Sequence, residues 1–196
     1  HRFGGDRLKS IISHFDKLSV REQGNAELIK ELTEIELPIT IDPTLLVNID
    51  FWEAMVNHSW KDRNFIAIYQ ARPVVGDADY LKHKALELAR QLDCEVIDLR
   101  SMQYSVEDII KYAKYVLTTS YHAVVFSVLM ETPCYAIKLN DGFDVRYVDL
   151  LTDLGLECEL MDMTFTPSPT SINFEGVKER ISKYKEASTK YLSDIR

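Results

Sequence analysis

The segment Tyr115–Lys138 constrains the fold of this chain most strongly. It reads YVLTTSYHAVVFSVLMETPCYAIK, and a longer apolar run lies between two short ones. Short apolar runs bounded by turn residues are typical of buried strands, whereas the longer run is typical of a buried helix. We therefore predict a strand over 115–119, a helix over 121–130 and a second strand over 134–138.

The same alternation continues on both sides of this segment. The pattern predicts further strands over 65–69, 95–99 and 158–161, and further helices over 79–92, 105–113, 145–154 and 174–195. Ser105 and Asp108 have the spacing of a capping box at the start of one helix. Strands that alternate with helices indicate an α/β fold, with a Rossmann-like parallel sheet, right-handed crossovers and helices on both faces. Neither a G-x-G-x-x-G fingerprint nor a phosphate-binding P-loop is present in the sequence.

The N-terminal part of the chain is less regular than the rest. Short helical and extended patterns lead to a polar junction, Lys61-Asp62-Arg63-Asn64, just before the first predicted strand. We place a domain boundary there. This divides the chain into residues 1–60, a Rossmann-like domain over 61–162, and a loop with a closing helix over 163–196.

Composition narrows the functional classes. The net charge of −8 argues against a general nucleic-acid binder, although an anionic substrate needs only local positive charge. No apolar run approaches the ~18 residues that a membrane span requires. Cys94, Cys134 and Cys158 form no C-x-x-C pair and fit reduced residues of a cytoplasmic protein. No cluster of histidines and cysteines has the spacing of a metal site.

The turn before the central helix is the strongest candidate for a binding site. Ligands of open α/β sheets bind beyond the carboxyl ends of the strands, where the first turn of a helix offers free N–H groups to an anion. Thr119 and Ser120 add hydroxyl donors, and His122 could act as a general acid beside a bound anion. The alternative is that His122 only packs beside the helix.

Three arginines are candidates for binding an anion. Arg21 follows a short strand, Arg72 lies in the loop after the first strand of the sheet, and Arg146 is at the start of a helix. Each has a simpler explanation: Arg21 could pair with Glu22 or Glu27, Arg146 could pair with Asp144 or Asp149, and Arg72 could be a solvated loop residue. Asp42, before Pro43, is better explained by a turn than by ligand contact.

Four segments carry a resemblance to a known family. They are LSVRE at 18–22, IDPTLL at 41–46, VLTTSYHAVVFS at 116–127 and VRYVDLL at 145–151. These segments are similar, in order, to the Ser-x-Arg-Asp/Glu, Asp-Pro-x-x-Leu-Leu, Ser-aromatic-His-Gly and Arg-x-x-x-Leu-Leu stretches of the polysaccharide pyruvyl transferases. Ala123 stands where that family commonly has glycine. The resemblance covers roughly residues 16–160.

The resemblance implies a specific architecture and reaction. It implies two domains arranged as in GT-B glycosyltransferases, with residues 1–60 as the end of a longer N-terminal domain and the crossover. The chain alone could then be inactive. The implied reaction moves a pyruvyl group from phosphoenolpyruvate to two hydroxyls of a sugar in polysaccharide or cell-surface glycan synthesis, and forms a ketal. His122 would be the acid and Arg21 would hold the phosphoenolpyruvate anion, with help from Ser120 and Arg146.

The expected partners follow from that reaction. They are phosphoenolpyruvate, with no further cofactor, and a saccharide acceptor whose carrier could bring the enzyme to a membrane surface. Two alternatives stay open from the sequence. A GT-B glycosyltransferase would bind a nucleotide sugar instead, and a non-enzymatic α/β binding module would bind neither ligand and would not need His122.

Overall fold

The computed structural model describes residues 2–101 and 105–194, apart from the side chains of Arg2, Phe3, Ser101 and Cys158. Within this part of the chain, five strands form one all-parallel sheet in the order β2-β1-β3-β4-β5. The strands are β1 (Phe65–Tyr69), β2 (Glu95–Asp98), β3 (Tyr115–Thr118), β4 (Cys134–Ile137) and β5 (Leu160–Met161).

The helices that alternate with the strands begin and end within one residue of the predicted positions. Those that alternate with the strands are α5 (Tyr80–Leu92), α6 (Val106–Tyr112), α7 (Tyr121–Leu129) and α8 (Val145–Asp153). The others are α1 (Arg2–Ile12), α2 (Gln23–Thr33), α3 (Pro43–Leu46), α4 (Ile49–Met55) and α9 (Val177–Ser193). The predicted α/β fold with a parallel sheet is confirmed, whereas the GT-B-like arrangement stays a prediction.

The order of the strands determines how the helices cover the sheet. The chain leaves β1 toward β2 on one side, then returns past β1 to β3 and continues to β4 and β5. Right-handed crossovers place α5 on one face of such a sheet and the later helices on the other. On the face of α5, Ile66 and Ile68 of β1 share a buried cluster with Leu81 and Leu88. This explains why β1 is apolar along its whole length, since both faces are covered.

Two compact units are present, and each is described by itself. One contains Val47–Glu175, including the whole sheet, and the other contains His1–Leu46 with Gly176–Arg196. The predicted domain limits, between residues 60 and 61 and between residues 162 and 163, rest on the sequence pattern alone and stay a prediction. The assignment of the first residues to the end of a longer N-terminal domain also stays a prediction.

The smaller unit is built from helices. α1 packs closely against α2 at Gly5, where a Cβ would lie only 2.4 Å from the carbonyl oxygen of Leu32. The absence of a side chain at Gly5 therefore allows this close approach. The C-terminal helix α9 packs against α3 in the same unit. Near α3, the backbone N–H of Ile41 donates to the hydroxyl of Ser188 over 2.8 Å. The final helix therefore belongs with the first residues of the chain.

The predicted capping box at Ser105 is wrong in its side-chain contacts. Ser105 is the N-cap residue of α6, but its side chain makes no capping hydrogen bond. The carboxylate of Asp108 instead accepts a hydrogen bond from the backbone N–H of Asn57, over 2.6 Å. A tertiary contact has thus replaced the local one that the spacing predicted.

None of the helices in the described residues combines the length and apolar character needed to cross a membrane. Cys94 and Cys134 are free thiols, in line with the expected reduced state, whereas the Cys158 side chain lies outside the described residues. Cytoplasmic location stays a prediction.

Candidate active site

The candidate site lies where the strand order reverses, between β1 and β3. Ligands of open α/β sheets bind in the crevice outside the carboxyl ends of the strands at such a point. Here β1 ends at Tyr69 and β3 ends at Thr118, and the Thr118 hydroxyl donates to the Tyr69 carbonyl over 2.6 Å. The segments that follow these strands are therefore held together at this edge.

Thr119 joins the two segments through Arg72. The Thr119 hydroxyl accepts from the Arg72 backbone N–H at 3.0 Å and donates to the Arg72 carbonyl at 3.2 Å. The Thr119 carbonyl accepts from Arg72 Nε at 3.0 Å. Thr119 is buried, so the structure uses its hydroxyl to fix the loop after β1. Its predicted role as a substrate-binding donor stays untested, but the hydroxyl already has partners within the protein.

Ser120 begins helix α7. Its backbone is extended, and its hydroxyl accepts from the Ala123 backbone N–H over 3.4 Å, as expected of an N-cap residue. No described residue accepts the Ser120 hydroxyl proton. That proton is therefore available to a ligand at the positive end of the helix.

His122 is exposed in the first turn of α7, whereas its neighbours Tyr121 and Ala123 are buried. Its ring stands edge-on to the Tyr121 ring, with 5.3 Å between the ring centres. Neither ring nitrogen makes a hydrogen bond to another described residue. His122 therefore presents a titratable group at the helix terminus where an anion is favoured.

Arg146 lies near the same helix terminus. Its guanidinium carbon is 5.7 Å from the centre of the Tyr121 ring and 5.9 Å from that of Phe143. Its Nε donates to the Phe143 carbonyl over 3.5 Å. No carboxylate in the described part of the chain lies within 4.0 Å of the guanidinium, so the predicted alternative of pairing with Asp144 or Asp149 does not occur. Its positive charge is available to an anion beside Tyr121.

Arg72 has the opposite environment. Its Nη2 donates to Asp144 and to the Tyr147 hydroxyl, each over 2.6 Å, and its Nη1 donates to Asp141. Burial alone would lower the pKa of Arg72, but the hydrogen bond and charge of Asp144 outweigh it and raise that pKa. Arg72 is therefore not the solvated loop residue that the sequence allowed.

The two carboxylates beside Arg72 leave this part of the site with a net negative charge. Burial alone would raise the pKa of Asp144, but hydrogen bonds from Tyr147 and Arg72 outweigh it and lower the pKa. Burial and the neighbouring Asp144 raise the pKa of the Tyr147 hydroxyl. One guanidinium thus faces two carboxylates, Asp141 and Asp144.

Arg21 lies in the smaller unit. Its Nη1 pairs with Asp42, and its Nη2 lies 3.7 Å from a carboxylate oxygen of Glu22. Asp42 also accepts the Thr44 backbone N–H at 2.9 Å, so it forms the predicted turn at the start of α3. The predicted alternative of a pair with Glu22 is present, and the substrate-binding role of Arg21 stays a prediction.

A cavity of about 430 Å³ opens at the carboxyl ends of the strands. Sequence reasoning missed three residues there or beside it: Asp141, Phe143 and Tyr147. Residues 140–142 read Asn-Asp-Gly and begin three positions after the last residue of β4, a turn signature that places polar groups at the carboxyl ends of the parallel strands. That signal could have identified Asp141. The cavity walls are formed by Arg72, Pro73, Val74, Val75, Leu139, Asp141, Phe143 and Met163.

Comparison with known proteins identifies the family. A search of curated proteins and one of solved structures gave no match. The family profile of polysaccharide pyruvyl transferase matches residues 1–141 of the 196. The matched range includes Arg21, Arg72 and the turn with His122, whereas Arg146 lies beyond it. Because the match covers well over half of the sequence, this chain belongs to the polysaccharide pyruvyl transferase family.

Proposed function

We propose that this protein transfers a pyruvyl group from phosphoenolpyruvate to two hydroxyls of one sugar unit in a glycan, and so forms a ketal and free phosphate. The single observation that carries the proposal is the charge at the start of α7. His122 and Arg146 stand there without a carboxylate partner among the described residues, beside the positive end of a helix. An anion with more than one charged group fits such a position.

Phosphoenolpyruvate needs two kinds of assistance that these residues could give. Its phosphate and carboxylate need positive charge and hydrogen-bond donors, which Arg146, the Ser120 hydroxyl and the first turn of α7 supply. Its methylene carbon needs a proton, and His122 lies in that first turn with an exposed ring. A histidine next to a bound anion is favoured in its charged form, which is the form that donates a proton.

The proposed reaction balances in two steps. His122 donates a proton to the terminal carbon of the enol, and an oxocarbenium-like centre forms at the carbon that bears the phosphate. A sugar hydroxyl adds to that centre and loses its proton. The C–O bond to phosphate then breaks, and the second hydroxyl adds to the same carbon and closes the ketal. Of the two hydroxyl protons, one returns to His122 and the other leaves with the phosphate. Electrostatic stabilisation of the departing phosphate is the role we assign to Arg146.

Arg21 is proposed as a second group that binds the donor, on the strength of the family resemblance. Its guanidinium is engaged by Asp42 and Glu22. Binding of phosphoenolpyruvate would have to replace or share those contacts, which makes the Asp42 side chain a modulator of donor affinity in this proposal.

Calorimetry with competing ligands tests the proposal. The protein is titrated with phosphoenolpyruvate and, separately, with sugar nucleotides such as UDP-glucose. We expect binding of phosphoenolpyruvate that inorganic phosphate weakens by competition, and we expect much weaker binding of the sugar nucleotides. Tight binding of a sugar nucleotide without measurable binding of phosphoenolpyruvate would favour a glycosyltransferase instead. Binding of neither ligand by the natural full-length protein would favour a non-enzymatic module.

A further inference from the structure

The cavity of about 430 Å³ lies at the same edge of the sheet as the proposed donor site but has a different chemical character. Most of its wall is apolar, from Pro73, Val74, Val75, Leu139 and Met163. The polar groups of the wall belong to Arg72 and Asp141. Mostly apolar cavities of this size with a few placed polar groups are typical sites for small organic ligands.

The charge around the cavity disfavours an anion. The guanidinium of Arg72 is already paired with two carboxylates, Asp141 and Asp144, so the group carries a net negative charge. Phosphoenolpyruvate would be repelled by the exposed part of Asp141, whose side chain is 35% accessible. The cavity therefore suits a neutral polar ligand better than the donor substrate.

The free hydrogen-bonding groups of the wall match hydroxyls. Asp141 uses one carboxylate oxygen to accept from Arg72 and from the Phe143 backbone N–H, the latter at 2.9 Å. No described residue donates to its other oxygen. One N–H of Arg72 Nη1 likewise has no described acceptor. A hydroxyl both donates and accepts, so neighbouring hydroxyls can use this acceptor and this donor together.

Phe143 supplies the apolar surface that a sugar ring needs. Its side chain lines the cavity and the residue is 60% exposed, so its ring is accessible to a ligand. The face of an aromatic ring carries partial negative charge and attracts the polarised C–H groups of a sugar. Phe143 also lies beside Arg146, with 5.9 Å between its ring centre and the guanidinium carbon. A sugar on Phe143 would therefore adjoin the proposed donor site.

We propose that this cavity binds the saccharide acceptor, with Phe143 as the stacking surface and Asp141 and Arg72 as hydrogen-bonding partners for its hydroxyls. This inference rests on the proposed function for the identity of the ligand as an acceptor. The binding itself is independent of phosphoenolpyruvate, which allows the two proposals to be tested separately.

The test uses methyl groups of the cavity wall as reporters. The protein is labelled with ¹³C at Val, Leu and Met methyls and titrated with millimolar methyl glycosides of glucose, galactose, mannose and N-acetylglucosamine. No phosphoenolpyruvate is added. We expect at least one glycoside to shift the signals of Val74, Val75, Leu139 and Met163. Inorganic phosphate should leave those signals unchanged.

Two variants at one position provide the decisive comparison. Phe143→Ala should weaken glycoside binding by roughly threefold to tenfold, the size expected for loss of one aromatic contact. Phe143→Tyr, which keeps the ring, should bind as the natural protein does. Because Phe143 is largely exposed, methyl signals remote from the cavity should be unchanged and report an intact fold.

Three results would overturn the inference: no glycoside shifts the cavity signals, the Phe143→Ala variant binds as tightly as the natural protein, or phosphate shifts the same signals as strongly. None of these results bears on binding of phosphoenolpyruvate at α7. Conversely, glycoside binding in the cavity without any binding of phosphoenolpyruvate would contradict the proposed function while the cavity assignment stood.

Discussion

Arg72 Nη2 lies 2.6 Å from Asp144 Oδ1, so the carboxylate two residues before Arg146 is occupied by a different arginine. The two arginines therefore have opposite environments at one edge of the sheet. Arg72 is surrounded by acceptors, whereas Arg146 faces two aromatic rings and no carboxylate in the described residues. This division is the basis for placing an anion near Arg146 and a neutral ligand near Arg72.

Arg146 is expected to contribute directly to donor affinity. Substitution Arg146→Ala removes charge-assisted hydrogen bonds, each worth about 1.5–3 kcal/mol, so the Kd for phosphoenolpyruvate should rise roughly tenfold to a hundredfold. Arg146→Lys keeps the charge and should lose less. Calorimetry measures both, with the exposed Arg90→Ala as the control that should not change the Kd. An unchanged Kd in Arg146→Ala would remove Arg146 from the donor site.

Arg21 should affect donor affinity in a way that depends on Asp42. We expect Arg21→Ala to raise the KM for phosphoenolpyruvate with little change in kcat, because the residue is proposed to bind rather than to react. Asp42→Asn removes the charge that competes for Arg21 and should keep or lower that KM. Steady-state kinetics of the natural full-length protein and of both variants measures the KM and kcat. A KM that is unchanged in Arg21→Ala would contradict the role.

Arg72 should also contribute to stability. Arg72→Met leaves Asp141 and the buried Asp144 without their cation, and the free energy of unfolding should fall by about 2–4 kcal/mol. The double variant Arg72→Met with Asp144→Asn should recover part of that loss, because one uncompensated charge has been removed. Urea unfolding gives both values, and Arg90→Met serves as the control. A loss below about 0.5 kcal/mol in Arg72→Met would contradict the account.

Glu159 should make stability depend on pH. The residue is fully buried, its Oε1 accepts from the Cys134 backbone N–H at 3.0 Å, and its Oε2 has no described partner. Burial raises its pKa from 4.5 to about 8, against the opposing effect of the hydrogen bond from Cys134. Between these values the folded protein keeps a proton that the unfolded chain releases. Glu159 therefore does not reduce the free energy of unfolding below pH 4.5, but reduces it progressively as the pH rises toward 8.

The variant Glu159→Gln cannot titrate and should lack this part of the pH dependence. Between mildly acidic and mildly alkaline pH, the natural protein should lose roughly 3–5 kcal/mol more than the variant. Urea unfolding at both pH values measures the difference, with the exposed Glu186→Gln as the control. Identical pH profiles for the natural protein and Glu159→Gln would contradict the buried, protonated state of Glu159.

The sequence was informative wherever one local pattern decided the structure. The strand Phe65–Tyr69 was predicted to the residue, because an apolar run lies between polar Asn64 and Gln70. The central strand, helix and strand were each predicted to within one residue for the same reason. Gly155 ends α8 with φ 68°, the left-handed conformation for which glycine is favoured after a helix.

Contacts between distant residues could not be predicted in this way. Arg72 and Asp144 are 72 positions apart, and nothing near either residue indicates the pair. Asp108 has the local spacing of a cap but bonds to Asn57, 51 positions away. The short strand predicted just before Arg21 is reduced to one bridge between Val20 and Ile39, because too few residues pair to form a ladder. The order of strands in the sheet likewise depends on packing rather than on any local pattern.

The central claim is that His122 donates the proton that starts the reaction. The most direct measurement is phosphate release from phosphoenolpyruvate by the natural full-length protein, with a cell-surface glycan extract as the acceptor. Loss of a positioned acid should slow His122→Ala by about 10²–10⁴-fold, whereas exposed His83→Ala should release phosphate at the natural rate. Phosphate release by His122→Ala at close to the natural rate would contradict the claim.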